Sequence, residues 1–167
     1  MGKNFETVFD DRFKEYIELK EANEYYGAIS ILAQMLKSLP ILSKSKQSEW
    51  ARRLNSEPIS EEIIEAVLVG INRDVNRLKR ILSVGSRFND DEIVLVLTLR
   101  YQIEVIMSFL FENCSLKTDI SLDDIDSVIQ SMARSNENKR AFGEAINQIK
   151  RNSRLPFDNK LLNLRKN

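Results

Sequence analysis

The stretch that decides the fold is residues 60–85, SEEIIEAVLVGINRDVNRLKRILSVG. Within it Ile64, Leu68, Ile71, Val75, Leu78 and Leu82 recur at alternating steps of four and three. That spacing lines one face of an α-helix and gives it a heptad seam. A seam this short is read as a contact inside a bundle rather than a dimer zipper. Ser60 stands where an N-cap hydroxyl belongs, and Glu61 and Glu62 complement the positive end of the helix dipole. Gly85 suits the residue just beyond the last turn. Gly70 and Gly143 fall inside expected helices, where glycine costs about 1 kcal/mol against alanine. Close backbone packing is therefore expected at both.

The same periodicity continues on either side. From about Asn4 to Leu39, Phe5, Phe9, Phe13 and Tyr16 form one stripe. Leu19, Ala22, Tyr26, Ile29, Ala33 and Leu36 carry it on, with a break expected between Glu21 and Gly27. Pro40 ends the segment because proline disfavours helix in the residue before it. Residues 43–57 form a basic connector with a short helix around Trp50. Asn89 and Glu92 have the spacing of a capping box, and Ser121 with Asp124 repeats it. Residues 93–111 are apolar nearly all round, as in the central helix of a bundle. A buried strand over Ile93–Leu99 is the local alternative, and the length of the run to Asn113 favours the helix. Leu122, Ile125, Val128, Ile129 and Met132 give the next helix its stripe. Phe142, Ala145, Ile146 and Ile149 give the last, which Pro156 closes. The expected fold is all-α: one bundle domain of about six helices with short connections over residues 1–156, followed by a tail, 157–167.

Composition narrows the chemistry. The chain has 167 residues, no histidine and one cysteine. Lacking histidine, it lacks the commonest general base near neutral pH, and it cannot supply the Glu-x-x-His pairs of di-iron bundles. One cysteine excludes an internal disulfide, and a buried inert thiol is expected at Cys114. No glycine-rich phosphate loop occurs. Ser43-Lys44-Ser45-Lys46 fits S-x-x-K but lies in a basic connector without companion motifs. Asp119, Asp123, Asp124 and Asp126 lack the glycine and closing glutamate of a calcium loop, and read as cap and first-turn acids. Arg100, Gln102 and Glu104 interrupt the 93–111 run, which argues against a membrane span. Met1–Glu6 has no signal-peptide layout, so a cytoplasmic location is expected.

Glu61, Glu62 and Glu65 spell E-E-x-x-E at a helix start. This resembles half of the metal site in the all-α nucleotide pyrophosphohydrolases related to MazG. That resemblance would imply a magnesium-dependent hydrolase with a second E-x-x-D pair on the next helix. Here the next helix opens Asp90-Asp91-Glu92-Ile93-Val94-Leu95, with Leu95 at the aspartate's place. The acids are equally those that complement a helix dipole.

Charge is equal overall, 25 basic and 25 acidic side chains, but unevenly spread. Residues 89–133 hold 2 basic and 9 acidic side chains, net −7, and residues 134–167 hold 9 and 3, net +6. Three functional readings follow. The first is a non-enzymatic helical binding protein: adaptor, inhibitor or assembly subunit. Its partner is a protein or a second copy of the chain, and Phe157, Leu161, Leu162 and Leu164 of the tail are the docking residues. The second is a nucleic-acid-associated subunit that uses Lys150, Arg151, Arg154, Lys160, Arg165 and Lys166 to neutralise phosphates. The helix bearing Arg73, Arg77, Lys79 and Arg80 would extend that surface. The third is the carboxylate and magnesium hydrolase. The first two need no cofactor, metal or membrane.

Overall fold

The fold described here is a computed structural model covering residues 4–83, 88–116, 119–135, 138–153 and 155. Among these residues there are seven α-helices, a 3-10 turn and no strand. The helices are α1 (Phe5–Glu21), α2 (Tyr25–Lys37), α3 (Lys44–Asn55), α4 (Glu61–Ser83), α5 (Asp90–Cys114), α6 (Asp123–Arg134) and α7 (Lys139–Asn152). The all-α class is as expected. The seventh helix arises because the first segment splits.

The split has a local cause. Asn23 takes a left-handed backbone, φ 61°, which asparagine tolerates better than most residues. Its N–H donates to Lys20 O, and that of Glu24 to Leu19 O. These two bonds satisfy the last carbonyls of α1 in a Schellman motif. Gly27, the other break signal, sits inside α2. Leu39–Ile41, holding Pro40, forms the 3-10 turn after α2.

Other caps match their sequence signals. Ser60 Oγ accepts from Ile63 N–H at 3.3 Å. Asn89 and Glu92 bond reciprocally at 3.1 and 2.8 Å, completing a capping box. The pairing expected for Ser121 and Asp124 shifts by one residue: Ser121 Oγ accepts from Asp123 N–H, and Leu122 is the cap.

Two compact units form. One takes the described residues of Met1–Ile71 and Glu104–Thr118, the other those of Asn72–Ile103 and Asp119–Asn167. Two of the boundaries fall inside α4 and α5. In the first unit α1 packs on α2, and α2 on α3. Its core includes Phe9, Tyr16, Ile29, Leu32, Met35, Trp50 and Ile106. Phe9 and Phe13 tilt against the Trp50 ring, with centroids 5.5 and 5.8 Å apart. Arg53 lies over Phe13 and Trp50 at 4.3 and 4.5 Å, closing the cluster with a cation over two rings. In the second unit α6 packs on α7, and Leu78, Ile93, Ile103, Ile129 and Phe142 are fully buried. Each such side chain contributes about 1.5–3 kcal/mol by leaving water.

The α4 seam is rotated from its heptad reading. Ile63, Val67, Gly70, Ile71, Asp74, Val75 and Leu78 are buried, while Ile64, Leu68 and Leu82 are half-buried. At 100° per residue the buried face lies roughly 50° from the expected seam. Gly70 accounts for the direction, because the Tyr26 ring lies directly on the helix backbone there. Helix α5 buries Ile93, Val96, Leu97, Leu99, Ile103, Val105, Ile106, Phe109 and Leu110, the near-continuous apolar surface foreseen for a central helix. It is the one described helix long and apolar enough to cross a membrane, and half of its most apolar window is buried inside the protein.

Candidate functional site

In the second unit, the last turns of α4 and the start of α6 enclose an open groove of about 280 Å³. Its lining is Lys79, Leu82 and Ser83 from α4 and Asp124, Ile125 and Val128 from α6. Helix α6 explains why apolar surface is left there. Ile125 and Ile129 are 2% and 0% exposed, and Ala133 extends their face. Val128 sits about 100° from the middle of that face and is 39% exposed. The stripe expected for α6 included Val128, and the structure moves it to the groove. Leu82 and Val128 thus offer carbon to an incoming side chain, between a cation at Lys79 and an anion at Asp124.

The setting of α6 is fixed by a pair whose role was not apparent from sequence. Arg100 Nε and its second terminal nitrogen donate to the two carboxylate oxygens of Asp126, both at 2.9 Å. The side chains are only 12% and 21% exposed. A two-point guanidinium–carboxylate contact fixes direction as well as distance, and so ties α5 to α6.

A second open groove lies in the first unit, about 510 Å³, lined by Ile17, Lys20, Glu21, Tyr25, Pro58, Ser60 and Ile63. Beside it the buried Tyr16 hydroxyl donates to Glu57 Oε1 at 2.9 Å. Lys20 Nζ lies 3.4 Å from the same oxygen and 5.8 Å from the centre of the Tyr16 ring. Burial, then the hydrogen bond to Glu57 and that carboxylate's charge, push the Tyr16 hydroxyl well above its ordinary value. Tyr16 is therefore a neutral donor near neutral pH. The trio staples α1 to the segment after α3.

The residues nominated from sequence fare unequally. Lys150 and Arg151 are exposed in the last turn of α7 and make no ion pair among the described residues. Phe157, Leu161, Leu162 and Leu164, together with Arg154, Lys160, Arg165 and Lys166, lie outside the described residues. Glu61, Glu62 and Glu65 are exposed on the first turns of α4. Among the described residues no three His, Cys, Asp or Glu side chains come together to hold a metal ion. Cys114 is half-buried, and burial raises its thiol pKa, which disfavours the reactive thiolate.

Comparison with known protein families, curated proteins and solved structures finds no match to this chain.

Proposed function

We propose that the chain is a non-enzymatic helical binding protein that works through protein–protein contact. The α4–α6 groove receives part of the partner. The observation that supports this reading is the exposure of Val128, 39%, in a groove it shares with Leu82 and Ile125. Interfaces draw their energy from apolar anchors seated in such depressions, while rim charges select the partner. The fitting partner segment presents an apolar side chain to Leu82 and Val128, a carboxylate to Lys79 and a cation to Asp124. Phe157, Leu161, Leu162 and Leu164 remain part of the reading as a second contact, and its expected setting is the cytoplasm.

A photo-crosslinking phenylalanine analogue at position 128, expressed in the native host, tests it. The expected result is a discrete protein adduct that the same probe at exposed Asn147 on α7 does not give. Failure to form an adduct at position 128, or the same adducts at both positions, would refute the reading. Ending the chain after buried Leu155 then separates the two contacts. An unchanged adduct assigns binding to the groove alone.

A further inference from the structure

One face of α4 in the second unit is exposed and strongly basic. Arg73, Arg77 and Arg80 stand at i, i+4 and i+7, within about 60° of arc and about 10 Å of helix length. All three are exposed, as are Asn72 and Asn76 beside them, while Val75 and Leu78 are buried on the opposite side. The carboxylate of Asp74 is buried with that opposite side, and Arg73 Nε reaches it at 3.6 Å. Arg77 and Arg80 make no ion pair among the described residues. The groove residues Lys79 and Leu82 point at least about 100° away from all three arginines, and none of the arginines lines the groove.

We propose that this face, Asn72 to Arg80, binds the phosphate backbone of nucleic acid. Two features favour that over an acidic protein. First, within residues 72–80 every side chain on this face is an arginine or an asparagine, and the nearest exposed apolar one, Val69, lies a turn earlier in α4, whereas protein interfaces are built around apolar anchors at their centre. Second, the cations are arginines spaced regularly along one helix and interspersed with asparagines. A guanidinium fork matches phosphate oxygens two at a time. Side-chain amides make the same phosphate and sugar contacts without reading sequence. A helix about 10–12 Å across also fits the ~12 Å major groove of a duplex. The face therefore holds nucleic acid by its backbone, with little sequence preference and strong dependence on salt.

Fluorescence anisotropy on the full chain tests this, with a labelled DNA duplex of about 20 bp and single-stranded DNA and RNA of equal length as probes. Three phosphate contacts predict a log–log salt slope near −2.7, so duplex affinity falls roughly 40-fold between about 50 and 200 mM KCl. The double change Arg77→Glu with Arg80→Glu should weaken binding at least about tenfold at the lower salt, since two attractions become repulsions. Arg77→Lys with Arg80→Lys should keep the salt slope, and Ser127→Glu, at an exposed position of α6, should leave binding unchanged. Both arginines are exposed, so an unchanged thermal melt confirms that the variants fold. The proposal is overturned by no binding to any probe at the lower salt, by affinity indifferent to salt, or by full binding in the Glu variant. Equally tight binding of labelled polyglutamate would assign the face to an acidic protein and overturn it too.

Discussion

Gly70 of α4 lies against the ring of Tyr26 from α2 so closely that a Cβ on it would fall 2.4 Å from Tyr26 Cγ. The atom met is the root of the ring, which rotation of the ring about Cβ–Cγ does not move, so the whole Tyr26 side chain would have to leave its place. Gly70→Ala should therefore destabilise the protein by up to about 2 kcal/mol, the overpacking of about 1–3 kcal/mol less the ~1 kcal/mol that alanine gains in a helix. Gly27 is the internal control. A Cβ there meets only Leu19 Cδ1, at 3.4 Å, so Gly27→Ala should be neutral or stabilising by up to about 1 kcal/mol. Urea unfolding of the two variants, read by Trp50 fluorescence, separates them. Equal effects would contradict the packing described.

The Arg100–Asp126 contact predicts a strong coupling between α5 and α6. Arg100→Met and Asp126→Asn should each cost about 1–3 kcal/mol, since each leaves a largely buried charge without its partner. The double variant should cost less than the two together, because no charge is stranded. Additive losses in a double-mutant cycle would mean that the two side chains do not act as a pair.

These cases show what was legible in the sequence. Helix positions, the caps at Ser60 and Asn89, and the α7 stripe of Phe142, Ala145, Ile146 and Ile149 follow from local spacing, and all appear in the structure. The break at Asn23 was legible only as a region, because a left-handed asparagine is one residue among several polar ones. The rotation of the α4 face was not legible, since it depends on Tyr26, which is 44 positions before Gly70 in the chain. The Arg100–Asp126 pair is hidden for the same reason, and with it the setting of α6. Val128 could have been separated from its stripe. Ile125, Ile129 and Ala133 define a face, and Val128 stands at its edge. The groove itself needs two helices brought together, which no spacing within α6 encodes.

Tyr16 predicts a stability that fades in alkali. Its hydroxyl is held protonated in the folded chain above the ordinary tyrosine value of 10.0, whereas the unfolded chain ionises near that value. The unfolded state thus binds fewer protons at higher pH. The contribution is fully present below about pH 10 and is lost as pH climbs from there toward the raised folded value. Tyr16→Phe should lower stability near neutral pH by about 1 kcal/mol, through the lost bond to Glu57. It should also flatten the alkaline fall in the urea midpoint. A variant whose midpoint fell with pH as steeply as the parent's would show that Tyr16 is not the group responsible.

Helix α6 offers adjacent residues with opposite roles. Ile129 is fully buried, so Ile129→Ala should cost about 2–5 kcal/mol through lost transfer energy and the cavity left behind. Val128 faces the groove, and Val128→Asp should change stability by no more than about 0.5 kcal/mol, as surface substitutions usually do. The same Val128→Asp change places a carboxylate on the apolar floor beside Leu82, where a partner's apolar anchor would have to meet it unpaired. Unpaired burial of a charge is costly enough to abolish the contact. Chemical denaturation of both variants, with the adducts formed from a crosslinking probe moved to position 82 of the Val128→Asp chain, reads the two effects separately. The expected pattern is a stable protein without adducts for Val128→Asp and a destabilised one for Ile129→Ala. Loss of stability in Val128→Asp comparable to that of Ile129→Ala would make Val128 a core residue and leave the groove without its floor.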